Sequence, residues 1–233
     1  VPGLTEAGFL THITALSSEH LPKSLLVLGG GPVGLEFSQI YARFGTAVTL
    51  AVRDRRLFAG TEPELSRRLE EIFIEEGITV LKEAEVVRVE RRGNFKVVTL
   101  RDSAGERTIE VEEILVATGK KPNTETLKLD QAGVNVDERQ AILTSPTYQT
   151  SAPHIYAAGD VTNLPKRLET TAGREGSFAA ENALRGTSKS IDYLTVPWAV
   201  FTDPQLAGVG LLDAEVSQHG LTCTCNTISF DHV

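Results

Sequence analysis

Short apolar runs alternate with helical patterns in the first third of the chain. The runs Leu25–Leu28, Thr46–Val52 and Ile78–Leu81 are apolar enough to predict strands that are buried on both faces. The segments between them carry apolar residues at helical spacing, and Thr61 starts a T-x-x-E capping box that predicts a helix over Glu64–Glu76. Strands that alternate with helices predict a parallel sheet built from right-handed βαβ units.

The pattern changes after this third strand. The segments AEVVRVERR, FKVVTLRD and RTIEVEE alternate apolar and polar residues, so they predict an antiparallel β-meander with one face in water. The remaining patterns predict an apolar strand at Glu113–Gly119, a buried strand at Ile155–Asp160, a helix near Leu168–Leu184, short strands from Val196, a helix near Asp213–His219 and a strand at Leu221–Ile228. The fold class is therefore α/β, with a Rossmann-like sheet that carries an antiparallel meander.

Composition narrows the range of functions. The 233 residues carry a net charge of −8, which argues against nucleic acid or an anionic membrane as a partner. No segment approaches the ~20 apolar residues of a membrane span. The two cysteines, Cys223 and Cys225, are too few for a disulfide framework and favour a cytoplasmic protein. Since the chain contains no methionine, we expect Val1 to lie inside a longer natural chain.

A glycine pattern follows the first predicted strand directly. Gly29, Gly31 and Gly34 fill G-x-G-x-x-G, and a helical pattern begins within it. This order of strand, glycines and helix is the dinucleotide-binding fingerprint. Gly29 would make the tight turn, Gly31 would let a pyrophosphate approach the backbone, and Gly34 would let helix and strand pack closely. The alternative is a purely structural glycine turn.

The residues after the second strand bear on which dinucleotide binds. The strand ends without a carboxylate, and Arg53, Asp54 and Arg55 follow it. Guanidinium groups at this place can grip the 2′-phosphate of NADP, whereas a carboxylate would bind the ribose hydroxyls of NAD. We therefore favour NADPH. Two alternatives remain: Asp54 keeps NADH open, and the arginines could form a solvated turn that pairs with Glu62 or Glu64.

The order of motifs along the whole chain resembles a known family. The fingerprint GGGPVGLE, the meander, VATGKKPN, IYAAGD and FTDPQLAGVG occur in the order found in flavoprotein pyridine nucleotide–disulfide oxidoreductases. Within this family, AVFTDPQ at Ala199–Gln205 and the closing TISFDHV are most similar to the mercuric reductases. A dihydrolipoamide dehydrogenase-like enzyme and a non-enzymatic dinucleotide-binding module are the alternatives.

The resemblance implies an order of domains and a chemistry. Residues 1–23 would be a linker from the FAD domain, residues 24–119 the NAD(P)-binding domain, residues 120–189 a returning segment of the FAD domain, and residues 190–233 the start of an α+β dimerisation domain. Hydride would pass from NAD(P)H to FAD, and electrons would pass on to a redox-active disulfide and a small-molecule or metal-ion acceptor. The full-length protein would be a homodimer.

The resemblance also implies roles for individual residues. Glu36 would sit beside the nicotinamide, Gly119 would allow close approach where nicotinamide meets flavin, and Asp160, next to Gly159, would accept hydrogen bonds from the flavin ribityl chain. The pyrophosphate would be lined by Gly29, Gly31, Pro32 and Val33, and the flavin pyrimidine would face the helix start at Leu168, Glu169 and Thr170. No catalytic residue and no metal ligand is expected in this chain. Cys223 and Cys225 would fill one side of a strand as small hydrophobic residues.

Overall fold

The computed structural model describes residues 1–228 and divides the chain into two compact units. The first comprises Val1–Gly119 together with the segment that begins at Ala199, and the second comprises Lys120–Trp198. The helices and strands, in chain order, are α1 (Leu4–Ala7), α2 (His12–Leu16), β1 (Ser24–Leu28), α3 (Pro32–Arg43), β2 (Ala47–Ala51), α4 (Pro63–Glu75), β3 (Thr79–Leu81), β4 (Glu85–Arg92), β5 (Phe95–Asp102), β6 (Gly105–Val111), β7 (Glu113–Val116), α5 (Glu169–Arg185), β8 (Trp198–Val200), β9 (Leu206–Gly208) and α6 (Asp213–Val216).

A parallel four-stranded sheet forms the centre of the first unit. Its strand order is β3-β2-β1-β7, and every neighbouring pair is parallel. The apolar runs explain this arrangement, because β1 is covered on both faces and Leu25, Leu26 and Val27 are fully buried. The predicted α/β class is therefore confirmed.

The predicted meander is also present in the first unit. Strands β4, β5 and β6 pair antiparallel, and the central strand β5 buries Val97, Val98 and Leu100. The N-terminal segment is part of the same unit: Ala7 belongs to its apolar core, and Leu10 forms a parallel bridge with Leu115 of β7. The domain boundaries expected from the sequence remain a prediction.

The capping box expected at the start of α4 is absent. The helix begins at Pro63, its N-cap is Glu62, and no side chain caps it within the described residues. The proline explains the difference, because it favours the first helical position and keeps the residue before it extended. Thr61 is buried instead, and the Glu62 carboxylate accepts a hydrogen bond of 2.7 Å from the backbone N–H of Asp213.

The second unit consists of helix α5 and long connecting loops. Val134, Ile142 and Ala152 form a small apolar cluster. The strand predicted at Ile155–Asp160 is not formed: Tyr156 makes one isolated antiparallel bridge, and a 3₁₀ turn follows at Gly159–Val161. An apolar segment becomes a strand only where a neighbouring backbone pairs with it along its length.

The C-terminal segment also differs from its prediction. Within the described residues, the helix near Asp213–His219 forms as α6 followed by a 3₁₀ turn, but residues 221–228 form no strand. Cys223 and Cys225 are exposed rather than packed in a sheet. Residues 229–233, which complete the TISFDHV motif, lie outside the described part of the chain.

Candidate dinucleotide site

A cavity of about 420 Å³ lies at the carboxyl ends of β1 and β2 and just after β7. Strand β1 has β2 on one side and β7 on the other. The strand order therefore reverses direction next to β1, and this place is the switch point of the sheet. Ligands of open α/β sheets bind at such a switch point. Residues that line the cavity include Leu28, Gly29, Gly30, Gly31, Ala51, Arg53, Asp54, Ala117, Thr118 and Gly119.

Two of the fingerprint glycines are required by the packing of the protein itself. Gly29 has a φ of +117°, and a Cβ there would lie 2.4 Å from the carbonyl oxygen of Ala117. A Cβ on Gly34 would lie 1.9 Å from the carbonyl oxygen of Gly29, so any side chain would push α3 away from β1. These contacts explain the turn and the close packing of helix on strand.

Gly31 differs from these two glycines. Its φ of −84° suits any residue, and a Cβ built there meets no atom within 4 Å among the described residues. The fold therefore does not need a glycine at this position. The open space in front of its backbone fits a group that approaches from outside, as a pyrophosphate would.

The start of α3 provides the electrostatics for such an anion. Gly31 is the N-cap, and within the described residues no side chain caps the helix. Pro32 lacks an N–H, while the N–H groups of Val33 and Gly34 belong to the first turn, where no carbonyl of the helix can accept from them. No acidic residue lies in that turn. The helix dipole therefore meets an anion here without competition from a carboxylate in the same turn.

The three charged residues after β2 are placed differently from one another. Arg53 and Asp54 both line the cavity, and Arg53 is exposed with no hydrogen bond or ion pair to any described residue. The Arg55 guanidinium instead pairs with Glu83 at 3.0 Å and is not part of the cavity lining. The structure thus brings Arg53, but not Arg55, to the cavity at the start of α3. The pairing of the arginines with Glu62 or Glu64 that the sequence left open is not observed in the described chain.

Glu36 does not line the cavity. Its Oε1 accepts a hydrogen bond of 2.9 Å from the backbone N–H of Phe201. One turn further along α3, the Gln39 amide accepts from the Asp203 N–H at 2.7 Å and donates to the Asp203 carbonyl at 2.8 Å. Arg43 then binds the Asp203 carboxylate at 2.9 Å. One face of α3 therefore holds residues 201–203, and the fingerprint glutamate is part of that attachment.

The residues expected to contact a flavin lie in the second unit. Gly159, with a φ of +77°, starts the 3₁₀ turn that contains Asp160. The Asp160 carboxylate accepts a hydrogen bond of 2.8 Å from Lys120 Nζ. Leu168 is the N-cap of α5, and no side chain of the described residues caps the helix there. Glu169 and Thr170 follow it in the first turn and are exposed. The helix start is thus open, as an approaching carbonyl oxygen would require.

The sequence interpretation missed the polar residues on the buried face of α5. Thr171, Glu175 and Asn182 are all buried, although their types favour the surface. Glu175 accepts a hydrogen bond from the Tyr193 hydroxyl. The pKa of Tyr193 is raised, chiefly because the hydroxyl is buried and secondly because of this hydrogen bond. The sequence shows that these residues share a helical face with Ala179, but this spacing does not show that the face is buried.

The exposed cysteines form a close pair. Their sulfur atoms are 3.2 Å apart, and Cys225 Sγ donates a hydrogen bond of 2.8 Å to the Asp213 carboxylate. This hydrogen bond, together with the contact to Cys223, raises the pKa of the Cys225 thiol to about 12.

The described residues hold no group of three or more His, Cys, Asp or Glu side chains suited to a metal ion. They also contain no helix with the length and hydrophobicity of a membrane span.

Comparisons with known proteins identify the family of the chain. The Pyridine nucleotide-disulphide oxidoreductase family model matches residues 1–183. Mercuric reductase from Streptomyces lividans is 40% identical over all 233 residues, which cover 49% of that protein. Mercuric reductase from Staphylococcus aureus is 37% identical over the whole chain, which covers 42% of it. Dihydrolipoyl dehydrogenase from Geobacillus stearothermophilus is 34% identical over 89% of the chain and 44% of its own length.

Solved structures give the same result. The HOCl-induced flavoprotein disulfide reductase RclA from Escherichia coli matches with a TM-score of 0.84 and 27% identity, over 94% of this chain and 49% of that one. LpdA from Mycobacterium tuberculosis matches with a TM-score of 0.81 and 31% identity, over 90% of this chain and 45% of that one. The chain thus spans about half the length of the relatives it matches. It belongs to the pyridine nucleotide–disulfide oxidoreductase family, whose members use FAD and NAD(P)H.

Proposed function

We propose that this chain provides the NAD(P)H-binding unit, and part of the flavin-binding surface, of a flavoprotein oxidoreductase. The cavity at Gly31 carries this proposal, because a glycine that the fold does not need leaves its backbone open to a pyrophosphate. In the proposed site the first N–H groups of α3 bind the pyrophosphate, and Arg53 binds a 2′-phosphate. NADPH is therefore the favoured coenzyme, and Asp54 is the residue that would support NADH.

The flavin would meet residues of the second unit. Asp160 would bind ribityl hydroxyl groups, and the open start of α5, at Leu168, Glu169 and Thr170, would direct N–H groups at the flavin pyrimidine. FAD, when bound, supplies the chemistry of accepting a hydride and passing electrons on. Gly119, with a φ of +146°, would provide room where the two cofactors meet.

We further propose that the complete protein acts in the manner of a mercuric reductase, as a cytoplasmic homodimer. The support is a match over the whole chain to mercuric reductases from several bacteria. A dihydrolipoyl dehydrogenase-like enzyme is the second candidate, because such an enzyme matches 89% of the chain. The redox-active disulfide would then lie in the half of the relatives that this chain does not match.

A chimera tests this proposal. In it, the present 233 residues replace the matching part of Streptomyces lividans mercuric reductase. The isolated chain should purify colourless and should not oxidise NADPH with mercuric ion, glutathione disulfide or lipoamide. The chimera should bind FAD and oxidise NADPH when mercuric ion is added, and the same chimera with Gly31→Val should bind FAD but not NADPH.

Other outcomes have defined meanings. A yellow isolated chain that turns over one of these acceptors would show that the unmatched half is dispensable. A chimera that binds FAD and uses lipoamide with NADH, but not mercuric ion, would favour the dihydrolipoyl dehydrogenase-like function. A chimera that binds NADPH but never transfers electrons to bound FAD would favour a non-enzymatic dinucleotide-binding module.

A further inference from the structure

Glu175 is a buried carboxylate with two hydrogen-bond partners. Its relative exposure is 0%, and it lies on the inner face of α5. Oε2 accepts a hydrogen bond of 2.7 Å from the backbone N–H of Gly159, and Oε1 accepts one of 2.8 Å from the Tyr193 hydroxyl. A buried carboxylate is costly unless its oxygen atoms are paired, so these two contacts are needed to keep it in place.

The glycine that Glu175 binds is held from several sides. Its carbonyl accepts from the Thr162 N–H at 3.0 Å and from the Thr162 hydroxyl at 2.7 Å. A Cβ built at Gly159 would lie 3.1 Å from the Cβ of Ala172, so the turn packs closely against α5. Because both polar groups of the Gly159 backbone are fixed, the direction of the next residue, Asp160, is fixed as well.

We infer that Glu175 is a positioning residue, which acts through Gly159 to aim the Asp160 carboxylate at its ligand. The inference rests on the proposed function for the ligand itself, the ribityl hydroxyl groups of a flavin. Tyr193 completes the arrangement, because its hydroxyl donates to Oε1 of Glu175 and leaves Oε2 to the Gly159 N–H.

The chemistry of the two acceptors predicts how variants behave. In Glu175→Gln the amide oxygen still accepts from Gly159, and the amide NH₂ donates to the Tyr193 oxygen once that hydroxyl turns. The glutamine should therefore preserve the turn. In Glu175→Leu the Gly159 N–H loses its acceptor and the Tyr193 hydroxyl loses the carboxylate, while the side-chain volume is nearly kept, so the turn loses its anchor.

Amide hydrogen exchange of the isolated chain, followed by NMR, tests the positioning role without a flavin. We expect the Gly159 amide to be protected in the wild type and in Glu175→Gln, and to exchange about tenfold faster or more in Glu175→Leu. Amides in the middle of α5, at Ala179 and Asn182, should keep their protection. Glu181→Gln is the matched control, because Glu181 lies on the same helix and pairs with Lys189.

Several results would overturn the inference. An unprotected Gly159 amide in the wild type would do so even if Glu175→Leu fails to fold. An equal loss of protection along all of α5 would show that Glu175 merely stabilises the helix. Loss of Gly159 amide protection in Glu175→Gln would also contradict the inference.

The flavin is tested separately in the chimera described above. There Glu175→Leu should weaken FAD binding about tenfold, and Glu175→Gln and Glu181→Gln should leave it nearly unchanged. If the wild-type chimera binds no FAD, the proposed function fails, whereas the exchange of Gly159 still decides the role of Glu175. Unchanged FAD affinity in a leucine variant that has lost Gly159 protection would refute the link to the flavin.

Discussion

Replacement of Arg53 by alanine tests how the coenzyme is chosen. Arg53 lines the dinucleotide cavity, is exposed and has no partner among the described residues, so its removal leaves no group unpaired. The fold should therefore keep its stability. Any change in coenzyme binding then reports on a direct contact with the ligand.

The size of the effect follows from the exposure of the side chain. A hydrogen bond to a charged group contributes about 1.5–3 kcal/mol. An exposed guanidinium belongs at the low end of that range, because water screens it. Since about 1.4 kcal/mol corresponds to tenfold in affinity, Arg53→Ala should weaken NADPH binding about tenfold. NADH, which has no 2′-phosphate, should be almost unaffected.

Isothermal titration calorimetry of the isolated chain with each coenzyme provides the measurement. Arg55→Ala is the matched control, because Arg55 is two residues away but pairs with Glu83 outside the cavity lining. It should change neither affinity. Equal losses for NADPH and NADH in Arg53→Ala would refute the reasoning. A loss of NADH binding in Asp54→Asn, with NADPH unaffected by Arg53→Ala, would assign the site to NADH.

Three further experiments test other parts of the account. Gly31→Val should abolish binding of both coenzymes, measured by titration calorimetry, at a cost in unfolding free energy of less than about 1 kcal/mol. Gly34→Ala should instead lower the thermal unfolding temperature, because a side chain there would collide with the Gly29 backbone. Gln39→Leu should cost about 1 kcal/mol in urea denaturation, because the Asp203 N–H loses its acceptor while the Asp203 carbonyl keeps a hydrogen bond of 3.4 Å from Arg43. An equal cost for a variant of the more exposed Arg43 would contradict this. Both cysteines should react with Ellman's reagent without denaturant, because both are exposed. Cys225 should react more slowly than Cys223, because its raised pKa keeps the thiol protonated. A reaction that requires unfolding would instead support a buried strand at these residues.

The sequence was sufficient for the parts of the fold that depend on local pattern. The strand at Leu25–Leu28 and the helix after it could be predicted because the apolar run, the glycines and the helical spacing are contiguous. The same holds for the meander, where alternation and short turns specify three strands. The glycine spacing identified Gly29 and Gly34, which the packing of α3 on β1 requires.

Features that depend on distant partners could not be predicted in this way. The segments Ile155–Asp160 and Leu221–Ile228 were predicted to be strands, but a strand requires a paired backbone that a sequence pattern does not specify. The helical position of Glu36 was evident, yet its partner, Phe201, lies far along the chain. Glu175 was missed for a related reason, because its burial becomes clear only from the loops that contact α5.

The central claim is that the cavity at the start of α3 binds a nicotinamide dinucleotide. An NMR titration of the isotope-labelled chain with NADPH tests it most directly, because each amide reports its own surroundings. The account predicts saturable shifts at the amides of Gly29, Gly31, Val33 and Gly119, no shifts at Gly159, and no response in the Gly31→Val variant. Saturable shifts confined to other parts of the chain, or an unchanged response in Gly31→Val, would contradict it.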